Sequence, residues 1–281
     1  MDLWIIGTGE SSYIYRNEIK RLINENTLAF HRVFPYCKKY FDFYPSYWTW
    51  FDPDAALQGI HHILNSDDRA LRKMRIVVPD FVVSNKKDFL KNTGGTPIAE
   101  KPDNRLWNSY VDSVQKMSDK LDSAVTLIPA ISGKRVANNK AGFPHLRKEF
   151  QNPVVRFSYE KMIIGSGLRL NQLNHKKFQG WEPYENKLSM CLFPLAHHLG
   201  AKRVFVVGFD CKGGRFYKRS HKLWKPNMMG IKQALKYIDL WKQWQSHTGM
   251  EIYSVVEKQH TLLNQYLPYY PFKQLLEEKN I

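Results

Sequence analysis

The chain has 281 residues, 43% of them hydrophobic, which is enough to bury a substantial core in one domain and excludes overall disorder. With 42 Lys and Arg against 26 Asp and Glu residues, its formal net charge is +16, which favours anionic partners without specifying them. Three cysteines without metal-ligand spacing, and no apolar run near membrane-span length, predict a soluble protein of the reducing cytoplasm.

The N-terminal segment predicts a strand, a glycine turn and a helix. Leu3–Ile6 is apolar and leads into Gly7–Ser11, a turn typical of the first unit of nucleotide-binding α/β proteins. Helical spacing resumes through Ile19, Leu22 and Ile23. Backbone N–H groups of this turn, lying at a helix start, would suit phosphate oxygens. An ordinary strand-to-helix turn explains the same residues.

Three further strands are predicted at Thr27–Phe30, Tyr47–Phe51 and Arg75–Pro79. A helix follows the second of them, from Pro53 to Leu64, because proline is tolerated in a first helical turn. Strands that end in small or acidic turns and are followed by helices predict a Rossmann-like, mostly parallel α/β sheet with helices on both faces.

Asp52 directly precedes this proline. Its carboxylate could accept hydrogen bonds from ribose hydroxyls or a base edge, or it could simply cap the helix. Asp52 and Asp54 also fit the Asp-x-Asp pattern by which many glycosyltransferases hold a divalent metal. Because Pro53 directs Asp54 into the helix, we expect a metal-free site.

Residues 82–150 form a weaker middle region, interpreted as an insertion or lid inside a single domain spanning 1–281. It contains a predicted helix at Trp107–Leu121 and a strand-like segment at Val125–Ile128. Strand character returns at Val154–Phe157.

The most informative segment lies between Ser189 and Tyr217. Helical spacing from Leu188 to Leu199 is followed by Gly200 as a helix stop, and then by Val204–Val207 without a polar interruption. Such a run is typical of a parallel strand covered on both faces. Asp210, two residues after Gly208, follows the end of this strand, where ligands of open α/β sheets bind.

A basic and aromatic segment comes next in the sequence. Its residues could neutralise a nucleotide phosphate without a metal, or could form only a solvated basic loop; they are Arg215, Tyr217, Lys218, Arg219 and Lys222. A helix through Ile231–Trp244 and a strand at Glu251–Val256 follow.

Together, the glycine turn, the aromatic strand before Asp52-Pro53, the helix–strand unit ending at Asp210 and the Glu251–Val256 strand resemble a known family. They are similar to the Rossmann-like glycosyltransferases typified by bacterial CMP-sialic-acid-dependent sialyltransferases, with relatives in phages and motility-accessory loci. The family commonly has Gly-x-Gly-Pro-Ser in the first turn, where this chain has Glu10 for proline. It commonly has Asn after the second strand, where this chain has His31.

The resemblance implies a metal-independent, inverting transferase that uses a CMP-linked, sialic-acid-like donor and a glycan acceptor. It implies His221 as the general base, from its order along the chain after Asp210. The implied donor-binding residues are Gly7, Thr8, Gly9, Ser11, Asp52, Ser189, Gly208, Asp210, Arg215, Tyr217 and Arg219.

Two other functions remain open on the sequence. The positive charge and the aromatic residues could serve nucleic-acid binding, although no nucleic-acid motif is present. A Rossmann-like enzyme of different chemistry, such as a pterin diphosphokinase relative, would require ATP and Mg²⁺. Peripheral contact with an anionic membrane or with lipopolysaccharide fits the same charge.

Overall fold

The computed structural model describes residues 1–50, 53–79, 104–121, 126–128, 192–210, 245, 249–265 and 267–281. Within these residues seven strands form one sheet in the order β5-β4-β3-β2-β1-β6-β7, and every neighbouring pair is parallel. The strands are β1 (Asp2–Ile6), β2 (Thr27–Phe30), β3 (Tyr47–Thr49), β4 (Arg75–Pro79), β5 (Thr126–Ile128), β6 (Arg203–Val207) and β7 (Glu251–Ser254). The parallel Rossmann-like sheet is therefore confirmed.

Seven α-helices connect or flank the described strands. They are α1 (Ser11–Ile14), α2 (Arg16–Lys20), α3 (Phe34–Phe41), α4 (Pro53–Leu64), α5 (Asn104–Leu121), α6 (Phe193–His198) and α7 (Phe272–Glu278). Short 3₁₀ turns occur at Arg21–Asn24, His31–Val33, Arg69–Lys73 and Leu263–Gln265. None of these helices has the length and hydropathy needed to cross a bilayer.

Both faces of the sheet are buried, as the uninterrupted apolar strands predict. On one face Trp4, Trp48 and Phe205 pack against helices that include α3 and α4. On the other face Leu3, Ile5, Leu28, Val204 and Val206 pack against α6. Alternate residues of β1 and β6 thus serve opposite cores, which is why Leu3–Ile6 and Val204–Val207 are apolar throughout.

Local signals end several elements where expected. Gly200 adopts a left-handed φ of 83° after α6, and its N–H bonds to the carbonyl of His197, which confirms it as the helix stop. Strand β7 ends at Ser254, two residues before the predicted end at Val256. Ser254 pairs with Val206 of β6 on one side and with Tyr269 on the other.

Within residues 82–150, helix α5 packs Tyr110, Met117 and Leu121 into the core, and β5 extends the sheet beside β4. Other parts of this region, the strand predicted at 154–157 and the helix predicted at 231–244 lie outside the described residues.

Candidate functional site

The order of the strands creates a switch point between β1 and β6. From β1 the chain builds β2, β3, β4 and β5 on one side, and it then places β6 and β7 on the other side. In open α/β sheets, ligands bind in the crevice at such a point, beyond the carboxyl ends of the strands. The turns that leave β1 and β6 there are Gly7–Ser11 and Gly208–Asp210. Both turns were predicted as parts of a site.

The two turns contact each other directly through their backbones. The N–H of Gly7 donates to the carbonyl of Val207 at 2.8 Å, and the N–H of Gly9 donates to the carbonyl of Gly208 at 2.6 Å. The hydroxyl of Ser12 adds a bond to the carbonyl of Gly7 at 2.9 Å. The switch point is therefore occupied by a hydrogen-bonded junction of two turns that lie about 200 residues apart in sequence.

Asp210 and Ser11 are the side chains that join the turns. The backbone N–H of Ser11 donates to Oδ2 of Asp210 at 2.8 Å, and its hydroxyl donates to Oδ1. The same hydroxyl accepts the N–H of Gly208 at 3.0 Å. Ser11 is 1% exposed and Asp210 is 4% exposed, so this pair lies out of contact with bulk water. Asp210 holds the glycine turn against the β6 turn.

Close approach explains two of the glycines. A Cβ at Gly9 would lie 2.6 Å from Oδ2 of Asp210, so a side chain there would push the turns apart. Gly208 has a φ of 77°, and a Cβ there would lie 2.1 Å from the Ser12 hydroxyl. Both positions need glycine to let the loops meet.

Two amides of the glycine turn are not used by this junction. Among the described residues, no acceptor lies within hydrogen-bonding distance of the N–H groups of Thr8 and Glu10. Helix α1 behind the turn is one turn long and stops before Tyr15. The helix that the sequence predicts through Ile23 is thus divided at Tyr15 into α1 and α2.

Sequence reasoning noted His31 after the second strand but missed its conformation. His31 follows β2 with a φ of 52°, a backbone region that non-glycine residues seldom adopt and that Asn and His enter more readily than others. It is 8% exposed, and its carbonyl accepts the indole N–H of Trp48 at 2.9 Å. The nearby hydroxyl of Thr49, at the end of β3, is fully buried and has no partner among the described residues.

A third loop, which the sequence did not indicate, reaches the junction from β7. The N–H of Leu262 donates to the carbonyl of Asp210 at 3.0 Å, and the Thr261 hydroxyl donates to the carbonyl of Phe209 at 3.3 Å. No local motif marks these residues, because the contact joins segments about 50 residues apart.

The structure thus brings Gly7, Thr8, Gly9 and Ser11 together with Gly208 and Asp210. The other predicted site residues lie outside the described residues; they are Asp52, Ser189, Arg215, Tyr217, Arg219 and His221. In the part of the chain that the structure describes, no group of three or more His, Cys, Asp or Glu residues is placed to hold a metal ion.

No protein-family profile and no curated protein sequence matches this chain. Among solved structures it is similar to the sialyltransferase CstII from Campylobacter jejuni in complex with the substrate analogue cytidine-5'-monophosphate. That comparison has a TM-score of 0.46 and 12% identity, and it covers 96% of this chain and 85% of the other.

A second match is to the sialyltransferase CST-II with trisaccharide acceptor and CMP, with a TM-score of 0.42, 12% identity and coverage of 96% and 86%. A third is to the monofunctional α-2,3-sialyltransferase Cst-I from Campylobacter jejuni, with a TM-score of 0.41, 16% identity and coverage of 96% and 80%. All three are sialyltransferases, the family that the sequence motifs resemble.

Proposed function

We propose that this protein is a glycosyltransferase that moves a sugar from a nucleotide-sugar donor to a glycan acceptor. The observation that carries the proposal is the switch point between β1 and β6, where the glycine turn is hydrogen-bonded to Asp210. A nucleotide is the ligand typical of this position in open α/β sheets. The resemblance of the sequence motifs to Rossmann-like sialyltransferases supports sugar transfer as the chemistry.

In this proposal the glycine turn is the seat of the donor. The amides of Thr8 and Glu10 bind phosphate or ribose oxygens, since the junction leaves them without a protein acceptor among the described residues. Asp210 lies beside these amides, where its bonds to Ser11 hold it, and by the resemblance it belongs to the donor site. By the resemblance, Asp52 and Ser189 complete the nucleotide site.

The finer proposal is an inverting single displacement from a CMP-linked acidic sugar. The acceptor oxygen bonds to the anomeric carbon as the bond from that carbon to the phosphate oxygen breaks. His221 accepts the proton of the acceptor hydroxyl, and the released CMP phosphate keeps the electron pair. Arg215, Tyr217 and Arg219 stabilise that phosphate by charge and hydrogen bonds, so no metal is required.

The proposed acceptor is a glycan near an anionic surface. The net charge of +16 favours peripheral contact of the protein with the inner face of a membrane or with lipopolysaccharide. Sedimentation with anionic vesicles at low salt, and release at high salt, is the expected behaviour, and equal sedimentation with neutral vesicles would contradict it.

Thermal unfolding with a nucleotide panel tests the donor. A ligand present at about 100 times its Kd stabilises the folded chain by about 2.7 kcal/mol, which raises Tm by about 5 °C in a protein of this size. We expect that shift with CMP and smaller shifts with UDP, GDP and ATP. A shift with ATP and Mg²⁺ alone would favour the diphosphokinase alternative. Strong salt-dependent binding of an oligonucleotide, with no nucleotide shift, would favour nucleic-acid binding.

Substitution of the proposed base tests the chemistry. His221→Ala should reduce nucleotide release from CMP-sialic acid about 100-fold or more, because a positioned general base contributes that much. The matched control is His61→Ala, which changes an exposed histidine in the last turn of α4 and should keep wild-type activity. Equal release by His221→Ala and wild type, at equal thermal stability, would reject His221 as the base.

A further inference from the structure

The segment after β7 connects the end of α1 with the turn that follows β6. We call residues 257–262 the β7 loop. At its start, the N–H of Glu257 donates to the hydroxyl of Tyr15, which directly follows α1, at 3.1 Å. At its end, Thr261 and Leu262 bond to the backbone of Phe209 and Asp210. The β7 loop is therefore attached to both elements that bound the switch point.

Hydrogen bonds within the β7 loop and across its two ends give the loop a defined shape. The N–H of His260 donates to the carbonyl of Glu257 at 2.8 Å, which closes a four-residue turn. The hydroxyl of Thr261 accepts the N–H of Leu263 at 3.0 Å, and the side-chain amide of Asn264 donates to the carbonyl of Val256 at 2.7 Å. A loop with this many bonds presents its side chains in one arrangement.

His260 directly precedes Thr261 in the β7 loop, so it lies one residue from the contact with the β6 turn. Its ring packs edge-on against Tyr15, with the ring centroids 6.1 Å apart. The residue is half-buried, and neither ring nitrogen has a hydrogen-bond partner among the described residues. An oriented imidazole with both nitrogens available can donate to one oxygen of a ligand and accept from another.

We propose that the β7 loop forms the acceptor side of the site and that His260 hydrogen-bonds the acceptor glycan. The inference rests on the proposed glycosyl transfer. The glycine turn of β1 occupies one half of the switch point and is the proposed nucleotide seat. The second substrate of a group transfer must then approach from beside this seat, and the β7 loop borders it through its bonds to Phe209 and Asp210. Sugar hydroxyls are the donors and acceptors that an imidazole at this position would bind.

Acceptor kinetics on the full chain test this assignment. With CMP-sialic acid as donor and a panel of unsialylated and sialylated oligosaccharides as acceptors, His260→Leu should raise the acceptor KM about tenfold and leave the donor KM unchanged. A lost hydrogen bond of ordinary strength has about that effect. His260→Asn keeps a hydrogen-bonding group and should recover part of the affinity. Tyr15→Phe, which removes the acceptor of the Glu257 N–H, should raise the acceptor KM by loosening the loop.

The control is His61→Leu, which replaces an exposed histidine in the last turn of α4 and should match the wild type in both constants. If the wild type transfers sugar and His260→Leu has the same acceptor KM as the wild type, the proposed function stands and the role of His260 is overturned. A fall in kcat with both KM values unchanged would also overturn it. Wild-type protein that releases no nucleotide from any nucleotide sugar would overturn the proposed function, and this inference with it.

Discussion

Removal of the Ser11 hydroxyl tests the junction on which the candidate site depends. Ser11→Ala deletes a bond to the buried carboxylate of Asp210, and a hydrogen bond to a charged group contributes about 1.5–3 kcal/mol. It also leaves the buried N–H of Gly208 without its acceptor, at a cost of about 1–3 kcal/mol. The two losses do not add fully, because both fall in one network and the Ser11 N–H keeps its bond. We therefore expect Ser11→Ala to lower the free energy of unfolding by about 3 kcal/mol.

Urea denaturation monitored by tryptophan fluorescence measures this change. The matched control is Ser113→Ala in α5, where the exposed hydroxyl bonds to the carbonyl of Ser109 one turn earlier. That substitution should change the free energy of unfolding by less than about 0.5 kcal/mol, since such bonds add little to a helix. The variant Ser11→Ala should also lose the thermal shift produced by CMP, because the turn that seats the nucleotide is no longer held.

A double-mutant cycle separates the pair from its surroundings. Asp210→Asn keeps one side-chain oxygen to accept the Ser11 N–H. An NH2 group replaces the oxygen that accepts the Ser11 hydroxyl, and the negative charge that strengthens that bond is lost. The coupling energy between Ser11→Ala and Asp210→Asn should exceed about 1 kcal/mol, as for residues in direct contact. A destabilisation of Ser11→Ala equal to that of Ser113→Ala, or a coupling energy near zero, would refute the reasoning.

Two other expectations follow from the described contacts. Gly9→Ala should destabilise the fold by about 3 kcal/mol and abolish the CMP shift, since its Cβ would clash with Asp210, whereas Gly249→Ala, with φ 64° and open space, should cost about 1 kcal/mol and keep CMP binding. Equal CMP binding by both variants would contradict the close approach. Burial opposes ionisation of Asp2, but hydrogen bonds from two basic partners outweigh it and lower the pKa of Asp2 below 3.8. Its stabilisation is therefore present at neutral pH and is lost as the pH falls below about 4, so unfolding curves of wild type and Asp2→Asn should converge there; a gap that stays constant down to about pH 2 would contradict this.

Local patterns in the sequence were sufficient for most of the elements. The apolar run at Val204–Val207 predicts burial on both faces, because alternate side chains of a strand point to opposite sides, and both cores are present. Gly200 ends its helix as predicted, since only a residue tolerant of positive φ continues the chain there. The glycine turn at Gly7–Ser11 was also predicted from its own residues.

The backbone of His31 shows where local patterns fail. Without glycine at this position, nothing in the sequence indicates a φ of 52° after β2. The conformation persists because the surrounding packing holds it, including the bond from Trp48 to the His31 carbonyl. Packing of this kind depends on residues that are distant along the chain.

The sequence alone therefore determined the strands and the glycine turns that follow β1 and α6, because these depend on spacing within a few positions. The tertiary structure alone decided that β6 lies beside β1, that Ser11 bonds to Asp210 across 199 positions, and that the β7 loop reaches the same junction. Such contacts follow from how whole strands and helices pack on a shared sheet. That packing is a property of the complete chain, and no short segment of it carries the information.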